Sequence, residues 1–182
     1  MRIFIALLLV FSGAVSAVEF PVTAGIYLVD AQQNETRIGD VSFTDVGSGK
    51  SAVKVEINND KFTDHFLSMR PFRCLEGQTE WFCYLPYPYD LRSIVTPEDL
   101  TDLEYQLLFL LKRPEEFGID AWNGLYYKLD LEADGSIIGK LLEGDLNSLQ
   151  SPPSENYARS VDMGEFIPAN AHSRLYPTLR IY

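Results

Sequence analysis

Arg70 to Asp90 reads R-P-F-R-C-L-E-G-Q-T-E-W-F-C-Y-L-P-Y-P-Y-D and holds both cysteines of the chain. Cys74 and Cys83 flank eight residues with Gly77, Gln78 and Thr79 at their middle, and the β-formers Phe72, Trp81, Phe82 and Tyr84 stand on either side. This pattern predicts a β-hairpin. With the turn centred on Gln78 and Thr79, Cys74 faces Cys83 within reach of a disulfide. The rival reading is a metal or redox site. Zinc takes four ligands and redox pairs are usually C-x-x-C, whereas this chain offers two cysteines and two distant histidines, His65 and His172. Pro86-Tyr87-Pro88-Tyr89 then ends the strand or confines it to an edge, because proline has no N–H to give to a ladder.

A disulfide calls for an oxidising compartment, and the N-terminus agrees. Met1 to Ala17 has a basic start at Arg2, an apolar run from Ile3 to Phe11 and a small-residue end at Val15-Ser16-Ala17. That combination predicts a signal peptide cleaved before Val18. The run is too short to span a bilayer as a helix, and the richest later stretch, Leu107 to Leu111, is shorter still. The expectation is a periplasmic or secreted protein with no transmembrane segment after cleavage. Residues 18–182 suit a single β-rich domain. With 15 Lys and Arg against 26 Asp and Glu, the net charge of −11 argues against nucleic acid as a partner.

Short apolar-polar alternations over Gly25 to Ala31, Arg37 to Phe43, Ser51 to Ile57 and Phe62 to Cys74 are separated by turn-rich connectors, which predicts a meander of antiparallel strands. Leu125 to Glu132 alternates with Leu125, Tyr127, Leu129 and Leu131 on one face, and Ala133-Asp134-Gly135-Ser136 turns it into Ile137 to Glu143 as a second hairpin. Thr96-Pro97-Glu98-Asp99 has the residues of a helix start, and a helix of one or two turns followed by a strand within Tyr105 to Lys112 is expected. From about residue 146 to Pro177 no period holds, so an irregular segment is expected, with Leu179 to Tyr182 returning as a last strand. Some eight antiparallel strands in chain order with one short helix predict a mainly β fold. An up-and-down, lipocalin-like barrel is the first expectation and a β-sandwich the alternative.

Motifs for chemistry are sparse. Gly49-Lys50-Ser51 lacks the first glycine and the helix of a phosphate-binding loop. Asp130 to Leu141 begins like a calcium loop but has Leu141 where a bidentate Glu belongs. No metal, cofactor or catalytic residue is expected. Arg70 and Arg73, beside Trp81 and Tyr87, could stack on or bind an anionic ligand group, and Trp122 and Tyr127 add aromatic surface to this candidate ligand site. The alternative for the arginines, Arg92 included, is surface pairing with Glu76, Glu80 and Asp90. Three functions follow in order: binding of a small apolar or amphipathic ligand, a structural or protein-interaction module meeting an envelope protein, and an unrecognised hydrolase.

The stretches M-R-P-F-R-C-L-E-G, C-Y-L-P-Y-P-Y, D-L-T-D-L-E-Y and W-N-G-L-Y-Y, in that order between about Phe66 and Tyr127, resemble a family of uncharacterised exported bacterial proteins. The resemblance implies a periplasmic setting, in which Asn34 of the Asn34-Glu35-Thr36 sequon is an unmodified loop residue. It supplies no catalytic residue.

Overall fold

The computed structural model describes residues 19–68, 70–149, 151–161 and 164–182. The leader expected over Met1–Ala17 lies outside the described residues. The chain forms β1 (Thr23–Val29), β2 (Glu35–Gly47), β3 (Lys50–Ile57), β4 (Thr63–Phe66), β5 (Pro71–Glu76), β6 (Trp81–Tyr84) and β7 (Ile94–Val95). The one α-helical turn among the described residues, α1 (Thr101–Glu104), precedes β8 (Phe109–Lys112), β9 (Gly124–Leu131), β10 (Ile137–Gly144), β11 (Phe166–Pro168) and β12 (Thr178–Ile181). All ladders are antiparallel, in the order β4-β5-β6-β8-β9-β10-β12-β1-β2-β3-β7, with β11 beside the second half of β10.

The fold is therefore mainly β with one short helix, as the alternation implies. The path of ladders is open, with β4 and β7 at its two ends, so it does not draw the closed up-and-down barrel; the sandwich alternative fits it. Chain order breaks at two places. β12 enters between β10 and β1, pairing Ile181 with both Ile137 and Ile26, and β7 pairs with β3. Such long-range pairings leave no mark in local periodicity.

The cysteine hairpin has the expected register: Cys74 faces Cys83 and Leu75 faces Phe82, with Gly77 N–H bonded to the Glu80 carbonyl at 2.9 Å. The disulfide is formed, across a Cα separation of 3.9 Å. Phe62 to Cys74 is not one strand; the chain reverses between Phe66 and Pro71, and β4 pairs back on β5. Thr96 does not cap the helix. Asp99 folds back on it, its N–H on the Thr96 hydroxyl at 3.1 Å, and the Asp99 carboxylate instead receives the N–H of Thr101 at 3.0 Å. The helix thus starts one turn later than its Thr-Pro signal.

From β5 through β10 the sheet is buried on both faces. Adjacent residues alternate between two cores: Leu75, Phe82, Phe109, Tyr127 and Leu141 belong to one, and Cys74, Cys83, Leu110, Tyr126 and Leu142 to the other. The second core exists because Leu146, Leu149 and Phe166 of the aperiodic C-terminal segment cover that face. Arg174 ties the segment down further along, binding Glu143 at 2.6 and 2.9 Å and Glu80 at 3.2 Å.

Candidate functional site

After Tyr84 the backbone leaves the sheet. Leu85 still gives its N–H to the Leu108 carbonyl at 2.9 Å, but Pro86 and Pro88 have none to give, and the run Pro86–Tyr89 crosses the outside of the second core. Tyr87 is held there by three contacts: edge-on to Tyr105 at 4.9 Å and to Tyr89 at 5.6 Å between centroids, and its hydroxyl donates to the Ser151 carbonyl at 3.3 Å. Between this run and the sheet lies a solvent-open hollow of about 190 Å³. The buried side chains of Leu108, Leu146 and Leu149 line its base, Leu85 and Ala121 its sides, and the exposed Arg70 its rim.

Two of the sequence-derived candidates, Arg70 and Tyr87, meet at this hollow. Trp122 stands next to the lining residue Ala121 but is 71% exposed, its backbone N–H bonded to the Asp120 carboxylate at 3.0 Å. Trp81 lies apart, stacked on His65 at 4.3 Å and beneath the Lys112 ammonium at 4.7 Å. Arg73 projects from the opposite face of β5 and donates to the Asn59 side-chain carbonyl. Tyr127 is fully buried in the other core, its hydroxyl donating to the Tyr176 carbonyl at 2.7 Å. The paired-arginine alternative takes other partners: Arg92 meets Asp102 at 3.5 Å, while Glu76 bonds His65 and Glu80 bonds Arg174. Local periodicity carries no mark of the apolar half of the hollow. Leu146 and Leu149 come from the aperiodic segment, and only the Pro-Tyr-Pro-Tyr run, which must leave the sheet, signals that such a gap could open.

Glu104 is the most enclosed acid. Its carboxylate accepts the Tyr126 hydroxyl, the Leu129 N–H at 2.9 Å and the Lys128 ammonium at 3.0 Å. Burial first, and then this carboxylate, push the Tyr126 phenol far above its ordinary range. With three donors on it, Glu104 acts as a structural anion. Among the described residues no three His, Cys, Asp or Glu side chains are placed to share a metal ion, and no helix is long and apolar enough to cross a membrane. No known protein family, curated protein or solved structure matches the chain.

Proposed function

We propose that this is an exported binding protein that holds the apolar part of a small amphipathic ligand in the hollow beneath Pro86–Tyr89. The observation that carries the reading is the hollow's chemistry: leucine side chains at the base of a solvent-open space of about 190 Å³, with one cation at its edge. A leucine-, isoleucine- and phenylalanine-lined cavity of about 150 Å³ takes up benzene, so this hollow suits a group of single-ring size. The seat lies against the second core; the first core is packed by the rings of Phe82, Phe109 and Tyr127. The expected leader, the Cys74–Cys83 bridge and the resemblance to exported bacterial proteins support a periplasmic setting.

The test is a methyl NMR titration of the mature protein with single-ring compounds. The Leu108, Leu146 and Leu149 methyls shift in the wild type and not in Ala121→Phe, whose side chain fills the hollow. Unmoved methyls across a ring-compound series would remove the reading. A second reading, an interaction module of the envelope, is favoured by the exposed rings of Phe66, Phe117 and Trp122. It predicts that a photo-crosslinker at position 117 captures one defined envelope protein, with capture lost on Phe66→Ser and Trp122→Ser.

A further inference from the structure

The arginines among the described residues are engaged almost without exception. Arg37 pairs with Asp40, Arg92 with Asp102, Arg113 with Glu116, Arg159 with Glu165, Arg174 with Glu80 and Glu143, and Arg180 with Glu35, while Arg73 bonds Asn59. Arg70 is the one arginine among the described residues with no hydrogen-bond or carboxylate partner, in a chain carrying 26 Asp and Glu. Its guanidinium instead lies 4.9 Å over the Phe72 ring, at the edge of the leucine-based hollow. A ring beneath a guanidinium fixes its plane while leaving its five N–H donors free. Beside it on the same hollow, Tyr89 has a hydroxyl with no protein partner among the described residues.

We infer that the ligand of this hollow is a small monocyclic carboxylic acid, its ring against Leu108, Leu146 and Leu149 and its carboxylate on Arg70. This rests on the hollow being the ligand seat. A carboxylate matches the fork of one guanidinium bidentately. A dianionic phosphate would call for more donors, and among the described residues no second cationic side chain lines the hollow. The net charge of −11 supplies no long-range attraction for anions, so recognition falls to this local contact.

The test compares hydrocinnamic acid with its neutral amide at pH 7, each titrated against the mature protein and followed by the leucine methyls. The acid binds up to about fivefold more tightly than the amide, the upper end of what an ion pair contributes at an exposed position. Arg70→Gln removes that difference by weakening the acid, Arg70→Lys restores part of it, and Arg73→Gln, on the other face of β5, leaves it in place. Equal binding of acid and amide to the wild type overturns the inference while the hollow keeps its role as an apolar seat. A preference that survives Arg70→Gln overturns it as well. If neither compound moves the leucine methyls, the seat itself is wrong and the inference falls with it.

Discussion

Asp102 and Glu104, two residues apart on the single turn of α1, each accept a backbone N–H from a different strand: Ile94 of β7 at 3.0 Å and Leu129 of β9 at 2.9 Å. β8 pairs with β9 only at Phe109–Leu125 and Leu110–Gly124, so the edge of β9 beyond Leu125 has no strand beside it. β7 is the far end of the same sheet. The helical turn therefore spans the gap between a sheet end and an unpaired strand edge, with carboxylates standing where strand carbonyls would. Both acids are fully buried, and both have a cation nearby, Arg92 at 3.5 Å and Lys128 at 3.0 Å.

Glu104→Ala follows directly as a stability test. It strips the Tyr126 hydroxyl, the Leu129 N–H and Lys128 of their common acceptor in a buried place. Leaving the buried Tyr126 hydroxyl and Leu129 N–H without an acceptor costs about 1–3 kcal/mol each, while Lys128 is half-exposed and adds little. Urea unfolding followed by far-UV circular dichroism should show a loss of that size, with Glu104→Gln losing less because its amide oxygen can still accept from Leu129. A loss below about 1 kcal/mol would show that α1 does not hold the gap.

Alkaline pH gives a second, independent reading of the same region. Burial holds the Tyr105 phenol up to about 12, pushes that of Tyr126 higher still and raises that of Tyr127 well above its ordinary range. Raised folded-state values mean that the stability is fully present below the unfolded value of about 10 and is lost as pH rises, because only the unfolded chain releases these protons. Above pH 10 each buried phenol should add a slope approaching about 1.4 kcal/mol per pH unit, with Tyr105 contributing over a window that closes near 12 and Tyr126 over one that extends beyond it. Tyrosine absorbance at 295 nm should rise in step with unfolding, and Tyr126→Phe should flatten the slope. Three phenols ionising in a still-folded protein would contradict the burial.

How much of this was legible beforehand depended on how local the cause was. The Cys74–Cys83 register and the β9–β10 hairpin rest on turn residues and β-formers within a few positions of each other, and both follow from the amino acids alone. Strand alternation places Tyr126 on the same side of β9 as Lys128 and Asp130, yet it is fully buried. Its cover comes from Leu146, Leu149 and Phe166, in a segment with no period to read. The same segment builds the base of the hollow, so Arg70 and Tyr87 could be picked out as candidates while their apolar companions could not. Arg73 and Tyr127 separate from them for a simpler reason: strand alternation sends them to the opposite face of β5 and β9.

The disulfide should account for a defined share of stability. Closing so short a loop stabilises by about 2–3 kcal/mol in the chain-entropy model. The Cys74→Ala, Cys83→Ala double variant should lose that much in urea unfolding. Wild type under reducing agent should lose a similar amount. Both sulfurs also sit in the second core, so the double variant's loss falls at the upper end. A double variant as stable as wild type would mean the hairpin's own packing suffices.

The last test joins the fold to the hollow through one glycine. Gly124 opens β9 against Gly144 of β10, and a Cβ added there would lie 2.5 Å from the Gly144 carbonyl oxygen and against the side chain of Leu146. The carbonyl belongs to a ladder and cannot retreat; Leu146 can, and it is part of the base of the hollow. Gly124→Ala should therefore destabilise by about 1–3 kcal/mol, the usual cost of overpacking. It should also shift the Leu146 methyl resonances and weaken the binding of single-ring compounds. Gly47→Ala is the control: open space surrounds its added Cβ, but its φ of +84° strains any other residue. It should cost about 1–2 kcal/mol and leave both the Leu146 methyls and ring binding as they are. If Gly124→Ala melts like wild type with unmoved Leu146 methyls, then β9, β10 and the base of the hollow are not packed against one another as described.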